Sequence, residues 1–208
     1  MLLIKMNHKN QDQVLHSAVD VLKSGGIIAY PTETFYGLGT RIDREDSLKR
    51  LYEIKQRPRE KAMPLIIGHK EQLSSIAADI NSSAIILIER FWPGPLTMLF
   101  PAKKHLSEFI TAGTNKVAVR IPGESFALLL AKYTRFPFTA TSANPSGMPP
   151  AQDAETVIRY FGDKIELIID CGPAPGGLPS TIVDVTTEEI NILRKGAVKK
   201  ELLTYLFT

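Results

Sequence analysis

Residues 14–31, VLHSAVDVLKSGGIIAYP, show in one stretch how this chain folds. Val14, Leu15, Ala18, Val19 and Leu22 recur at helical spacing and so share one face of a helix. Gly25-Gly26 closes that helix, because glycine enters the left-handed conformation of a helix end without steric penalty. Ile27-Ile28-Ala29-Tyr30 then reads as a buried strand ending at Pro31. A helix that hands over to a buried strand is the building unit of an α/β protein.

The alternation continues outward from this unit. A second helix is expected from about Arg44 to Lys55, with Leu48, Leu51, Tyr52 and Ile54 inward and Asp43 as its N-cap. Leu65-Ile66-Ile67 follows as a strand, and Asn81 caps a helix that Trp92-Pro93-Gly94-Pro95 breaks. Strands are expected at Leu96–Phe100 and Val117–Ile121, then a helix from Glu124 to about Tyr133 and a strand at Phe138–Thr141. A helix from Asp153 to Phe161, a strand at Leu167–Asp170 and a strand pair at Thr181–Val185 and Ile190–Arg194 complete the pattern, before a short helix after Gly196. Interleaved helices and strands, with some strands joined directly, imply an α/β fold with a mixed sheet and flanking helices. No repeat or long linker divides residues 1–208, so a single domain is expected, with Gly172–Pro179 as a loop.

Composition narrows the function classes. The 208 residues are 44% hydrophobic and 23% charged, as in soluble globular proteins. The net charge of +3 is concentrated: Arg50, Lys55, Arg57, Arg59 and Lys61 against Glu53 and Glu60 account for all of it. A broad nucleic-acid face needs many phosphate contacts, whereas one focused cluster suits a small polyanion. Cys171 stands alone, which excludes internal disulfides and thiolate metal sites, and nothing basic adjoins it to make a nucleophile. Met1–Lys5 is too short for a signal peptide and Ala84–Ile88 too short to span a bilayer, so a cytoplasmic protein without membrane contact is expected.

Familiar devices fail on inspection. Gly172–Gly177 has the glycine spacing of a phosphate loop, but Leu178 stands where its lysine belongs. Gly37-Leu38-Gly39 lacks the third glycine of a dinucleotide fingerprint and implies close backbone packing instead. His8, His16, His69 and His105 have no zinc-ligand spacing. The Asn81-Ser82-Ser83 sequon is better read as the helix cap.

Two polar tracts remain, Lys55-Gln56-Arg57 and Ser142-Ala143-Asn144, each where an apolar run meets a turn. Together they supply a planar guanidinium, a compact ammonium and short donors and acceptors, the chemistry of a nucleotide site. Pro58 pushes Arg57 to an extended conformation, and spacing by two would send Arg57, Arg59 and Lys61 to one side. The competing reading is a solvated helix end with cations at the negative pole of the dipole. Thr32-Glu33-Thr34 is equally well an ST-turn with a helix cap or part of a site. Arg120 ends the β-branched run Val117–Ile121, where it meets an internal carboxylate or receives one from a ligand; the second reading is preferred.

In order, the blocks PTETFYGLGT, KQRPREK, WPGPLT, VAVRIPG, TSANPSG, PSTIVDV and ILRKGA resemble the threonylcarbamoyl-AMP synthases, the YrdC-like family, from about Gln11 to Ala197. The resemblance implies a twisted α/β sheet with a concave, positively charged groove. It implies synthesis of L-threonylcarbamoyl-AMP from L-threonine, bicarbonate or carbon dioxide, and ATP, with release of pyrophosphate. A separate transferase would then modify adenosine beside the tRNA anticodon, and contact with tRNA is not required for the synthase step. Matched block by block, Thr34, Arg120, Ala140 and Ser180 would bind threonine. Lys55, Arg57, Lys61, Ser142, Asn144 and Arg194 would bind ATP with Mg2+, Lys55 and Arg57 stabilising charge, and no side-chain metal ligand is identified. Many relatives carry a histidine where this chain has Ile66, and His69 is read as a surface turn residue. The chain also ends soon after Arg194, which implies the short form of the family. An RNA-binding module and a non-synthase paralogue are the alternatives; the first fits poorly with a near-neutral remainder, the second with two intact tracts.

Overall fold

A computed structural model describes residues 1–207. In chain order the elements are β1 (Leu2–Lys5), α1 (Gln11–Lys23), β2 (Ile28–Pro31), β3 (Tyr36–Gly39), α2 (Glu45–Lys55) and β4 (Leu65–Ile66). Next come α3 (Ser82–Phe91), β5 (Leu96–Pro101), α4 (Glu108–Thr111), β6 (Lys116–Arg120), α5 (Phe126–Thr134), β7 (Phe138–Thr139) and β8 (Thr141–Ser142). The last are α6 (Ala154–Phe161), β9 (Leu167–Asp170), β10 (Thr181–Asp184), β11 (Asn191–Arg194) and α7 (Lys200–Thr204). The α/β class is as expected, but the strands form two mixed sheets rather than one. The first runs β1-β9-β2-β3-β8 and the second β11-β10-β5-β6-β4-β7.

The expected strand Phe138–Thr141 is where the sheets part. Thr139 pairs with Leu65 in the second sheet, whereas Thr141 pairs with Leu38 in the first. Ala140 lies between them, with its N–H on the Pro64 carbonyl at 2.7 Å. Strand propensity does not say which edge a residue will join, so the run is continuous in sequence and divided in space.

The α1–β2 unit forms as its pattern requires. Val14, Leu15, Ala18, Val19 and Leu22 are buried, and Gly25 has φ +82° at the helix end. They pack with Ile28 and Tyr30 of β2 and with Phe126, Leu130 and Ala131 of α5. A larger core on the other side joins α2, α3 and the second sheet. Full burial of one such side chain contributes roughly 1.5–3 kcal/mol. Asn81 caps α3 by accepting from the Ala84 N–H at 2.9 Å, and Asp153 caps α6 from Thr156 at 2.7 Å.

Other details depart from the local reading. Asp43 does not cap α2; its carboxylate is held by Arg41, whose Nε lies 2.8 Å from Oδ1. No helix follows Thr32-Glu33-Thr34. Thr32 Oγ1 accepts from the N–H groups of Thr34 and Phe35, an ST-turn that reverses the chain into the β2–β3 hairpin. Gly37 and Gly39 lie against the Tyr30 ring, so the close packing expected there is present.

Candidate active site

A cavity of about 620 Å³ opens where the two sheets diverge at Ala140. Tyr36 and Ser142 face it from the first sheet, and Leu65, Thr97, Leu99 and Ile182 from the second. Three arginines reach it from separate segments: Arg57 after α2, Arg120 at the end of β6 and Arg194 at the end of β11. Thr34, Ala140, Ser142 and Ser180 complete the set of expected residues that the fold brings together.

The arginines are held in different ways. Arg57 donates from Nε to the Lys61 carbonyl at 3.0 Å and from Nη2 to the Ala62 carbonyl at 2.6 Å. Arg194 donates from Nε and Nη2 to the Ser180 carbonyl at 3.1 and 2.7 Å, and from Nη2 to Ser180 Oγ at 3.0 Å. Neither arginine has a carboxylate partner among the described residues. Burial lowers the pKa of both, and the like charge of Arg120 lowers that of Arg194 further. Gathering repelling cations in a recess is unfavourable until an anion arrives. Arg120 differs, because its Nη1 is paired with Glu33 Oε1. The internal carboxylate that the sequence reading placed second is therefore present. The remaining oxygen, Glu33 Oε2, is buried without a hydrogen-bond partner.

Three expected ATP residues do not line the cavity. Lys55 is 2% exposed and donates from Nζ to the carbonyls of Ser142 and, at 2.6 Å, Asn144. The Lys55 carbonyl accepts from the Ser146 N–H at 2.8 Å, so the lysine ties α2 to the Ser142–Asn144 tract from behind. Burial, with Arg57 nearby, pushes its ammonium down to about 7. Asn144 donates Nδ2 to the carbonyls of Pro145 and Met148 at 3.1 and 2.6 Å and so braces the same turn. Lys61 is exposed outside the wall. The extended run that would align Arg57, Arg59 and Lys61 is absent. The Lys61 N–H bonds the Pro58 carbonyl at 3.1 Å, closing a turn, and Arg59 lies over the Phe109 ring at 4.5 Å.

The sequence reading did not name Glu33 as the carboxylate for Arg120, and it gave Thr97, which lines the cavity, no role. Thr97 sits in the WPGPLT block at the start of β5, and its position after a Gly-Pro break was the available signal. His69 is exposed at the start of a 3₁₀ turn over Lys70–Ser75, its backbone N–H donating to Gln72 Oε1 at 3.0 Å, while Ile66 is fully buried. Desolvation of the sulfur and the nearby Asp170 push the thiol of the exposed Cys171 up to about 12. Among the described residues no three His, Cys, Asp or Glu side chains gather to hold a metal. Arginines and hydroxyls line the cavity, and a guanidinium has no lone pair to give a cation, so this donor set does not fit a resident divalent ion.

Residues 20–196 match the family model described as telomere recombination, Sua5/YciO/YrdC. The chain belongs to this Sua5/YciO/YrdC family. Among its Sua5/YciO/YrdC relatives, a protein named threonylcarbamoyl-AMP synthase from Pyrococcus abyssi is 37% identical over 200 residues, covering 96% of this chain. Only 59% of that relative is matched, so the chain spans little more than half its length. A relative of the same name from Coxiella burnetii is 35% identical over 178 residues, covering 86% of this chain and 96% of the relative. In structure, Pyrococcus abyssi Sua5 complexed with L-threonine superposes with a TM-score of 0.94 at 36% identity, over 99% of this chain and 61% of that one. No described helix is long and apolar enough to cross a membrane.

Proposed function

We propose that this protein makes L-threonylcarbamoyl-AMP from L-threonine, bicarbonate or carbon dioxide, and ATP, releasing pyrophosphate. The observation that carries the reading is the convergence of Arg57, Arg120 and Arg194 on one cavity together with Thr34, Ser142 and Ser180. The names of the relatives, and threonine in the Pyrococcus structure, support the same substrate.

Threonine's amine takes up carbon dioxide to form a carbamate, whose oxygen attacks the α-phosphorus of ATP as pyrophosphate leaves. Nucleophile and leaving group both come from substrates, so the chain has to position two mutually repelling anions and neutralise developing charge. Arg120 takes the amino-acid carboxylate as a fork-to-fork pair, with Thr34, Ala140 and Ser180 around it. Arg57, Ser142 and Arg194 take the nucleotide. Lys55 and Asn144 hold the Ser142 turn in place, and Lys61 is free to meet the outer phosphates at the mouth. Mg2+ enters as part of the ATP substrate, carried on its phosphates. The product then serves a cytoplasmic transferase that modifies adenosine next to the tRNA anticodon.

The test is incubation of purified protein with ATP, Mg2+, bicarbonate and L-threonine. Pyrophosphate release and a threonylcarbamoyl-adenylate mass are expected, with L-serine a poor substitute. Absence of that adenylate defeats the reading.

A further inference from the structure

We infer that Thr97 is a positioning residue whose hydroxyl orients Ser180 so that the pair offers a single O–H proton to an anionic oxygen in the cavity. The inference rests on the threonine site proposed above. Thr97 is 4% exposed at the start of β5, and β5 lies parallel to β10, with Ile182 opposite Thr97. This register brings Ser180 Oγ to 2.9 Å from Thr97 Oγ1. Both residues line the cavity, as does Arg194.

Counting donors fixes the outcome. A serine hydroxyl has one proton and two lone pairs, and a guanidinium can only donate. Arg194 Nη2, 3.0 Å away, takes one lone pair of Ser180 Oγ. When Thr97 donates into the other, Ser180 can accept no more, and its own proton has no partner among the described residues. In the reverse arrangement the Ser180 proton goes to Thr97, and the Thr97 proton is left over. Either way one proton of the pair is left without a partner among the described residues, and an incoming carboxylate selects the first arrangement by accepting from Ser180. The apolar neighbours Leu99 and Ile182 offer no competing acceptor side chain. In the first arrangement both lone pairs of Ser180 Oγ are taken, so that atom meets a ligand as a donor only.

The experiment compares Thr97→Val, which removes the hydroxyl at constant shape, with Thr97→Ser, which keeps it. Thr97→Val is expected to raise the KM for L-threonine about fivefold, the size of one net hydrogen bond. The KM for ATP should stay within about twofold, because the Arg194 contacts to the Ser180 carbonyl are untouched, and Thr97→Ser should match the wild type within the same margin. An unshifted threonine KM in folded Thr97→Val overturns the inference, as does an equal shift in Thr97→Ser, which would mark a packing effect. If Thr97→Val does not fold, Thr97→Ala is held to the same thresholds. Calorimetric binding of L-threonine separates the two proposals. If the wild type makes no adenylate yet binds threonine, the synthase reading falls. Thr97 then stands if Thr97→Val weakens that binding about fivefold, and falls if it does not.

Discussion

Arg120 and Glu33 form an ion pair between the end of β6 and the β2–β3 turn, with side chains only 10% and 14% exposed. The pair fixes the guanidinium at the cavity wall, but it also leaves a buried charge dependent on its partner. Removing one member of such a pair destabilises more than the intact pair stabilises. Glu33→Ala should therefore lower the unfolding free energy by about 3 kcal/mol. Glu33→Gln, which keeps an acceptor, should lower it by about half as much, roughly 1.5 kcal/mol. Urea denaturation measures both, and unchanged midpoints would show that Arg120 needs no internal partner.

Arg57 is expected to matter more for turnover than for folding. Its Nε and Nη2 bond only backbone carbonyls of its own loop, which water can satisfy in its absence. Arg57→Ala should reduce kcat/KM by about 100-fold or more, the scale of losing a donor to developing charge. Arg57→Lys should recover little, since one ammonium cannot reach both carbonyls and a phosphate. Steady-state kinetics beside a melting curve decide this. Loss of stability with full activity in the surviving protein would mark Arg57 as a helix-end residue only.

Lys55 gives the protein a pH signature. Its folded-state value of about 7 lies below the ordinary 10.5. Between those values the unfolded chain holds a proton that the folded chain has released, so stability rises with pH across that window. Below pH 7 both states are protonated and the slope disappears. One proton corresponds to at most about 1.4 kcal/mol per pH unit. Denaturation of the wild type and Lys55→Met from pH 6 to 10 should show the wild type gaining stability relative to the variant above about pH 7. Parallel curves would refute a buried, readily deprotonated lysine.

Gly39 tests the packing of the hairpin. A Cβ there would lie 2.8 Å from Tyr30 Cε1 and 3.0 Å from the Thr139 carbonyl oxygen. Because backbone and a buried ring cannot both yield, Gly39→Ala should cost about 1–3 kcal/mol. Calorimetry should show a Tm lower by roughly 2–12 °C in a chain of this length. An unchanged Tm would mean that β3 has room to move away from Tyr30.

Much of the architecture was legible because its causes are local. Helix α1, its glycine stop, the Asn81 cap, β9 and the β10–β11 pair follow from spacing and capping within a few residues. Strand β3 was not, because a Tyr-Gly-Leu-Gly run has weak strand propensity and becomes a strand by pairing with β2. Neither was β1, whose Leu2–Lys5 pairs with β9 across most of the chain. Among the site residues, Arg57, Arg120 and Arg194 were legible as charges at the ends of apolar runs. The direction in which Lys55 points was not, since it depends on where the Ser142 and Asn144 carbonyls arrive.

By itself, then, the order of apolar runs, caps and polar tracts determined that this is an α/β chain carrying a concentrated set of cationic and polar side chains. The tertiary structure alone decided how they are shared out. It split Phe138–Thr141 between two sheets and opened the cavity at Ala140. It turned Lys55 away from that cavity, gave Arg120 an internal partner in Glu33 and set Thr97 against Ser180. Each of these is a contact between residues tens of positions apart, fixed by sheet register and desolvation rather than by any neighbour in sequence.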